Sequence, residues 1–272
     1  MGTDSMNNNF LETAVSAARI AGDFILENLG KISNDDIDIK QRSDFVTYVD
    51  RESEQLIITT IKDVFPGHHF LAEESLKDTS GHEYRWIIDP LDGTTNFIHS
   101  YPAFSVSIAL EHNNEIILGV IFDPQKNELF TAEKGKGAFL NGQPFKVSKI
   151  TDINSGLVTT GFPFKRKELI DPYLKLFKNI LFRVSDIRRA GSAALDLAHL
   201  ACGRCEAFFE IGLSPWDIAA GVIMIKEAGG IVTDFGGGTD FMRTGNIVAG
   251  TPVIHPEILK EVKAVFEGML DN

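Results

Sequence analysis

The stretch from Trp86 to Phe97, W-I-I-D-P-L-D-G-T-T-N-F, constrains the fold of this chain more than any other part of its sequence. Its first three residues are apolar and predict a short buried strand, which is followed at once by two aspartates within one turn. Pro90 restricts the backbone of the residue before it, so the main chain sets the direction of Asp89. We therefore expect Asp89 and Asp92 to project from a buried strand into one small volume.

The turn from Asp89 to Asp92 has the composition of a magnesium site. Two like charges held close together repel and raise each other's pKa unless a multivalent cation lies between them. Gly93 lacks the Cβ that would keep a phosphate away from the main chain, and the N–H groups of Gly93 and Thr94 would open a short helical turn that suits an anion. An ordinary turn is the alternative, since Pro, Asp and Gly are common turn residues. The longer string that includes Thr94 and Asn96 is much rarer by chance, and we interpret it as a Mg²⁺ site.

The chain is acidic, with 26 basic and 38 acidic side chains among 272 residues and a net charge of −12. This balance argues against nucleic acid or an anionic membrane as the main partner, and bound cations would neutralise part of it. No apolar run approaches the roughly 18 residues of a membrane span, and the polar N-terminus lacks the apolar region of a signal peptide. These features predict a soluble, cytoplasmic protein. Its length allows one large domain or two closely packed halves.

The two cysteines, Cys202 and Cys205, lie in a C-G-R-C segment. A zinc site would need a second pair of ligands, and a thioredoxin-like site would need a redox context. The sequence offers neither, so we expect two small core residues where a helix from Ser192 to Ala201 stops at Gly203. The histidines are scattered without a repeated spacing, which favours surface or packing roles over metal ligation.

Two further segments of the first half carry acids of interest. A helix from about Asn9 to Leu29 is scaffold, and D-F-V-T-Y-V-D then leads into a second helix with Asp50 in its first turn or two. A favourable charge at a helix N-terminus is the alternative role for Asp50. His68–Ala72 is a predicted strand that ends in Glu73, just as the first strand ends in its acids. Adjacent strands of this kind would pool carboxylates at one sheet edge, and such oxygen ligands suit Mg²⁺ or Mn²⁺ rather than zinc.

The pattern of predicted strands and helices differs between the two halves of the sequence. Phe104–Val147 alternates as an antiparallel meander, whereas strands and helices alternate beyond about Ile150. Three polar residues stand at predicted element ends there, and each has a structural alternative. Ser192 and Asp217 could be helix N-caps, and Glu210 could be a surface acid.

Taken together, E-E-S, D-P-L-D-G-T-T-N-F and P-W-D resemble the inositol monophosphatase family, within the wider group of Mg²⁺-dependent, lithium-sensitive phosphatases. The likeness runs from D-F-V-T-x-x-D through G-K-G-A-F-L-N-G to E-A-G-G. It implies a layered αβαβα sandwich and a homodimer. The order of the elements predicts an α/β protein with an N-terminal α+β half over residues 6–149 and a C-terminal α/β half over residues 150–272, packed as one compact unit around the metals.

The resemblance also implies roles for individual residues. The ligands of the two metals are Glu73, Asp89 and the carbonyl of Leu91 for the first ion, and Asp89, Asp92 and Asp217 for the second. The catalytic residues are Asp50, Thr94 and Glu73, and Thr94 would pair with Asp50 and help orient the attacking water. The residues that bind the phosphate or the sugar are Asp92, Gly93, Thr94, Gly191, Ser192, Ala193, Glu210 and Asp217. Lys40 lies near a lysine that family members carry before the D-x-V-T segment.

These residues predict a Mg²⁺-dependent phosphomonoesterase that hydrolyses myo-inositol monophosphate. Two or three Mg²⁺ ions, or Mn²⁺ in their place, would activate a water for in-line attack and neutralise the ester, so no covalent phospho-enzyme is expected. Fructose 1,6-bisphosphate and 3′-phosphoadenosine 5′-phosphate are the alternative substrates, because a fold alone does not set the substrate. A regulatory binding protein linked to RNA-processing or transcription assemblies is the alternative of a different class. The complete set of acids favours the enzyme.

Overall fold

The computed structural model describes residues 3–33, 37–41, 44–75 and 82–269, and these residues form alternating layers of helices and sheets. Two helices cover one face of a seven-stranded sheet, two lie between that sheet and a five-stranded sheet, and two cover the far face of the second sheet. This arrangement confirms the predicted α/β class and its αβαβα layering. The side chain of Lys40 lies outside the described part of the chain.

The first outer layer is formed by two helices, α1 (Thr3–Asn28) and α2 (Tyr48–Val64). They pack on the first sheet because their apolar side chains recur at helical spacing, and the fully buried Ile25 and Ile57 belong to the same core as Trp86. Between the two helices, β1 (Ile37–Gln41) and β2 (Asp44–Thr47) form an antiparallel hairpin. The helix α1 begins ahead of the predicted start at Asn9.

The first sheet follows the order of the chain, from its parallel edge pair to a meander. Its strands are β3 (His69–Ala72), β4 (Tyr84–Asp92), β5 (Ser105–His112), β6 (Glu115–Asp123), β7 (Glu128–Glu133), β8 (Gly137–Leu140) and β9 (Gln143–Phe145). The strands β3 and β4 are parallel, and all later neighbours are antiparallel. The predicted meander and the predicted adjacency of the two acid-ended strands are confirmed.

The strand β4 differs from the prediction at its C-terminal end. The sequence predicted that the strand would end before Asp89, but β4 continues through Pro90 to Asp92. Its pairing with β5 shifts register between Asp89, which faces Ser107, and Asp92, which faces Ser105. The turn is therefore an irregular stretch within a buried strand, and the sheet itself holds both aspartates.

The second sheet is mixed and contains five strands in the order β11-β10-β12-β14-β13. Its strands are β10 (Leu157–Thr160), β11 (Asp186–Arg188), β12 (Ala207–Glu210), β13 (Ile231–Thr233) and β14 (Ile247–Gly250). Its outer face is covered by α4 (Ile170–Leu181) and α8 (His255–Phe266), and the short helix α7 (Phe241–Thr244) precedes β14. The expected alternation of strands and helices beyond Ile150 is confirmed.

The layer between the sheets holds α5 (Ala193–Ala201) and α6 (Pro215–Glu227). Small residues let these helices approach closely: a Cβ on Gly119 of β6 would lie 2.7 Å from the carbonyl oxygen of Ala220, and one on Gly221 would lie 2.4 Å from Cβ of Leu197. Because α6 is pressed against the first sheet, its N-terminus lies beside the end of β4. This contact joins sequence-distant acids at one site.

Two smaller predictions concern Cys202 and Cys205. Both thiols are free, Cys205 is buried in the core and Cys202 is partly buried directly after the end of α5, as expected. Burial raises the pKa of both thiols, so the reactive thiolate form is disfavoured.

In the part of the chain that the structure covers, no helix combines the length and apolarity needed to cross a membrane.

Candidate active site

The ends of β3 and β4 bring Glu73 next to the aspartates of the turn. The N–H of Glu73 donates a hydrogen bond to the carbonyl of Ile88, at 3.2 Å, so Glu73 follows its strand at the level of Asp89. The carboxylate of Asp89 is only 1% exposed and accepts a hydrogen bond from the N–H of Leu91, at 3.0 Å. This bond closes the turn and directs the side chain inward.

Three carboxylates converge at this point. Single oxygens of Asp89, Asp92 and Asp217 lie within 4.8 Å of one another. Burial, followed by the charge of Glu73, raises the pKa of Asp89 well above its usual value. Burial raises the pKa of Asp92 to about 6, and burial together with the charge of Asp92 raises the pKa of Asp217 to about 8. Without a cation, the neutral forms of these acids are therefore favoured more strongly than they would be in water.

The position of Asp217 follows from the start of α6. Ser214 is the N-cap, Pro215 occupies the first turn, and Asp217 is the third helical residue. The carboxylate of Asp217 accepts a hydrogen bond from the N–H of Ser214 at 2.6 Å, which completes a capping box. The alternative prediction that Asp217 is the N-cap of this helix is wrong, because Ser214 is the N-cap. Asp217 stabilises the helix start and also faces the other carboxylates.

Asp50 and Thr94 form a hydrogen-bonded pair behind the turn. Asp50 is the third residue of α2, and its Oδ2 accepts hydrogen bonds from the N–H and the hydroxyl of Thr47, at 2.8 and 2.6 Å. Its Oδ1 accepts a hydrogen bond from the hydroxyl of Thr94, at 2.8 Å. Burial raises the pKa of Asp50. The helix-start role and the contact to Thr94 therefore coexist, one on each carboxylate oxygen.

Gly93 occupies a position that only glycine fits. It precedes the short helix α3 (Thr94–Ile98) with φ +98°, and a Cβ there would lie 2.8 Å from the carbonyl oxygen of Ala103. The left-handed backbone and the close approach both exclude a side chain. Gly93 and Thr94 therefore present their main chain to the cavity beside the carboxylates.

The start of α5 holds Asp92 from the opposite side. Ser192 is the N-cap of α5, as the structural alternative proposed, and its hydroxyl donates a hydrogen bond to Oδ2 of Asp92 at 2.5 Å. The N–H of Ala194 donates to the same oxygen at 2.8 Å. These bonds keep one oxygen of Asp92 engaged with α5, while the group as a whole lines the cavity.

Glu210 ends β12 and closes the inner wall of the cavity. It is 8% exposed, so the surface-acid alternative is wrong. A Cβ on Gly161 would lie 1.9 Å from its Oε1, and the missing side chain makes room for this carboxylate. Burial, followed by the charge of Asp196, raises the pKa of Glu210 well above its usual value.

All these groups surround one cavity of about 460 Å³. The sequence-predicted residues that line it are Glu73, Asp89, Leu91, Asp92, Gly93, Thr94, Gly191, Ser192, Ala193, Glu210 and Asp217. Asp50 is the exception, because it lies behind Thr94 and acts through the hydroxyl of that residue. The structure thus brings every predicted site residue to the cavity or into contact with a residue that lines it.

Several groups at the same cavity were not predicted from the sequence. Phe162, Phe164 and Lys165 form part of the outer wall, and Arg189 and the buried Asp196 also line the cavity. Burial and the charge of Asp92 raise the pKa of Asp196 well above its usual value. A helical spacing signal was available for Asp196, since it lies four residues after Ser192 on α5 and faces the same side. No local pattern marks the outer wall.

Asn96 belongs to the motif, but the sequence assigned it no role. Its side-chain N–H₂ group donates hydrogen bonds to the carbonyls of Ala103 and Ala190, at 2.6 and 2.9 Å. These bonds connect the segment after α3 to the segment that leads into α5. Asn96 therefore connects the side of the cavity formed by Gly93 and Thr94 to the side formed by Ser192.

The chemistry of the donors fits divalent cations. Buried carboxylates that raise one another's pKa are stabilised by an ion of opposite charge, and oxygen donors of this kind suit Mg²⁺ or Mn²⁺. Glu73, Asp89, Asp92 and Asp217 are the groups that could hold such ions, with the carbonyl of Leu91 beside them.

Comparison with known proteins gives a consistent result. A family model described as the inositol monophosphatase family matches residues 6–267. The chain is 44% identical over 263 residues to the Nus factor SuhB of Vibrio cholerae serotype O1, and 46% identical over 263 residues to the Nus factor SuhB of Escherichia coli K12. In both cases, the match covers 96% of this chain and 96% of the relative.

Solved structures agree with this likeness. The extragenic suppressor protein suhB from Bartonella henselae superposes with a TM-score of 0.91 at 40% identity, covering 96% of this chain and 100% of the other. The inositol monophosphatase from Anabaena gives 0.85 at 41% identity, covering 95% and 96%. An IMPase of Thermotoga maritima gives 0.88 at 36% identity, covering 95% and 98%.

Proposed function

The chain belongs to the inositol monophosphatase family, and on that premise we propose that it is a Mg²⁺-dependent phosphomonoesterase that hydrolyses myo-inositol monophosphate to inositol and phosphate. The observation that carries this proposal is the convergence of Asp89, Asp92 and Asp217 within 4.8 Å at a cavity that Glu73 also lines. Buried acids without a cation are costly, so a set of this kind is best explained by the ions it binds.

We assign the metal-binding role to Glu73, Asp89, the carbonyl of Leu91, Asp92 and Asp217. When bound, Mg²⁺ ions would supply a water of lowered pKa and neutralise charge on the attacking and leaving oxygens. Orientation of the water, proton uptake and substrate binding are carried out by side chains and main-chain groups of this chain.

The pair of Thr94 and Asp50 orients the nucleophile in this proposal. Thr94 donates its hydroxyl hydrogen to Oδ1 of Asp50, so the lone pairs of the Thr94 oxygen remain free to accept a hydrogen bond from water in the cavity. Asp50 is held in turn by both polar groups of Thr47, which leaves the Thr94 hydroxyl little freedom to rotate. The water can give its proton to the Thr94 oxygen while Thr94 passes its own hydroxyl proton to Asp50. Glu73 is the other carboxylate that can accept the proton.

Substrate placement follows from the two sides of the cavity. We propose that the phosphate binds beside Gly93 and Thr94, whose main-chain N–H groups line the cavity. Gly93 has no Cβ that would keep the phosphate away from these groups. On the sugar side, Ser192, Ala193 and Glu210 supply polar groups that suit vicinal hydroxyls. We propose that the polyol binds there and that the reaction proceeds by direct attack without a phospho-enzyme.

The proposal is tested by phosphate release from a panel of esters with Mg²⁺, with and without lithium. We expect turnover of myo-inositol monophosphate with a kcat/KM above the values for fructose 1,6-bisphosphate and 3′-phosphoadenosine 5′-phosphate, together with inhibition by lithium. A preference for one of the other two esters would overturn the substrate assignment and leave the metal chemistry in place. Absence of phosphate release from all three esters at saturating Mg²⁺ would refute the enzyme assignment.

A second candidate is a role in transcription, and the observation that favours it is the name Nus factor carried by relatives 44–46% identical to this chain. The two functions are separable, because Asp89→Asn removes a catalytic ligand from the cavity and leaves the outer surface of the protein unchanged. We expect co-migration with a transcription complex assembled from purified RNA polymerase to be equal for the wild type and for this variant. Absence of co-migration for both proteins would leave the phosphatase as the function.

Three further properties are proposed with the function. A homodimer is supported by apolar side chains left exposed around the end of α4, among which Phe182 is 79% exposed; light scattering tests this. A cytoplasmic location is supported by two free cysteines, which persist in a reducing compartment. We retain residues 6–149 and 150–272 as the two halves, and limited proteolysis near residue 150 tests that division.

A further inference from the structure

The helix α2 carries two buried carboxylates one turn apart. Asp50 is 1% exposed and Glu54 is fully buried, and residues four apart on a helix lie on the same face. Asp50 serves the Thr94 hydroxyl, as described above. Neither the sequence motifs nor the family resemblance assigned a role to Glu54.

Glu54 binds the segment that follows β3. Its Oε2 accepts a hydrogen bond from the N–H of Glu74, at 2.7 Å, and its Oε1 accepts one from the hydroxyl of Ser75. Hydrogen bonds to an ionised acceptor are about twice as strong as neutral ones, and a buried carboxylate without them would destabilise the fold. The two bonds therefore account for the burial of an acid at this position.

These contacts hold the main chain on both sides of the Glu73 side chain. The N–H of Glu73 is bonded to Ile88 of the neighbouring strand, and the next N–H, that of Glu74, is bonded to Glu54. The direction of the Glu73 carboxylate is therefore set from the sheet and from α2 together. Glu73 in turn lies close enough to Asp89 for its charge to raise the pKa of that residue.

We propose that Glu54 is a positioning residue for the metal site: it holds the Glu73–Ser75 segment so that the Glu73 carboxylate faces Asp89. Glu54 is not among the residues that line the cavity, and it acts through Glu73. The inference rests on the proposed metal site. It also makes α2 the common support of two functions, because Asp50 positions the Thr94 hydroxyl and Glu54 positions a ligand. Residues that orient metal ligands typically change metal affinity by about 10–100-fold when they are replaced.

The experiment is a titration of metal-free protein with Mn²⁺, in which electron paramagnetic resonance reports the free ion. Glu54→Asp keeps the charge and withdraws the carboxylate from the segment, whereas Ser75→Ala keeps every charge and removes one of the two bonds. Glu52→Gln is the matched control, because Glu52 is an exposed acid on the same helix. Mg²⁺ concentrations for half-maximal phosphate release and the KM for substrate are measured in parallel.

We expect Mn²⁺ affinity to fall about 10-fold in Glu54→Asp, to fall by a smaller factor in Ser75→Ala and to stay at the wild-type value in Glu52→Gln. The substrate KM should stay constant at saturating Mg²⁺, which a general loss of structure would not produce. Circular dichroism checks the fold of each variant.

Several results would overturn the proposal. Wild-type affinity in Glu54→Asp would show that the segment needs no support from α2, and an equal loss in Glu52→Gln would show that only net charge matters. If Glu54→Asp does not fold, unchanged affinity in the exposed Ser75→Ala variant would refute the positioning role. Failure of the wild type to bind Mn²⁺ would instead remove the metal site itself, so the two proposals fail in different ways.

Discussion

Replacement of Asp217 by Asn should have opposite effects on stability in the absence and in the presence of Mg²⁺. Asp217 lies in a group of three carboxylates within 4.8 Å, and burial with the charge of Asp92 raises its pKa to about 8. Asn keeps the size of the side chain and the oxygen that accepts the N–H of Ser214, so the capping box at the start of α6 is preserved. The substitution removes the ionisable group alone.

The sign and size of the effect follow from proton linkage. An Asp in the unfolded chain ionises near its ordinary pKa of 3.8, whereas folded Asp217 does so at about 8. Between these values the folded protein holds a proton that the unfolded chain has lost, so the free energy of unfolding falls as pH rises, by up to about 1.4 kcal/mol per pH unit. The loss is complete above pH 8. Because the carboxylates titrate together, we expect a net gain from Asp217→Asn of roughly 2–4 kcal/mol in metal-free protein at that pH.

The assay is urea unfolding at 25 °C from pH 5 to 9, followed by the fluorescence of the two tryptophans, Trp86 and Trp216. In EDTA, the variant should be more stable than the wild type, with a difference that grows with pH. In saturating Mg²⁺ the order should reverse, because the wild type gains the free energy of metal binding and the variant lacks a ligand. Asp171→Asn, at an exposed position of α4, is the matched control and should show neither effect.

Destabilisation of the metal-free protein by Asp217→Asn at pH 8 would contradict this expectation. Asp217 would then be a structural acid whose ionised form the fold requires. An unchanged order of stabilities in Mg²⁺ would equally remove Asp217 from the set of metal ligands.

Three other predictions concern the same cavity. Asp89→Asn should abolish phosphate release and leave the circular dichroism spectrum unchanged; loss of the folded spectrum would make Asp89 structural. Thr94→Val should lower kcat by about 10²–10³-fold, whereas Thr94→Ser should retain most activity, because the hydroxyl contact to Asp50 is the important feature; equal rates would contradict this. Gly93→Ala should lower the free energy of unfolding by about 2 kcal/mol more than Gly135→Ala, since both have positive φ but only the first meets a main-chain oxygen, at 2.8 Å. Similar losses in the two glycine variants would refute the close-contact argument.

The local features of the site were predictable from sequence. The apolar run before Asp89, the proline between the two acids and the glycine at the turn are short-range signals, and they predicted a strand end with two inward carboxylates. The adjacency of the two acid-ended strands was also correctly predicted. The end of β4 was predicted too early, because continued pairing with β5 overrides the turn-forming tendency of Pro90.

Contacts between distant segments could be inferred for some residues only through family resemblance. Asp217 reaches Asp89 because glycines let α6 press against the first sheet. Helical spacing places Glu54 on the buried face of α2, four residues after Asp50 and three before Ile57, but it does not reveal that Glu54 binds the segment after β3. The outer wall with Phe162 and Lys165 could not be predicted either, because these residues follow β10 and line the cavity only once the second half of the chain packs beside the end of β4.

The sequence by itself determined which chemical groups are available and the direction in which each leaves its own strand or helix, because these follow from covalent spacing and backbone preference over a few residues. Only the tertiary structure decided which groups meet. Burial raises the pKa of Asp89 and Asp217, and burial depends on how whole layers pack. The affinity for cations that we propose is therefore a property of the packed protein, to which the motif would contribute the ligands.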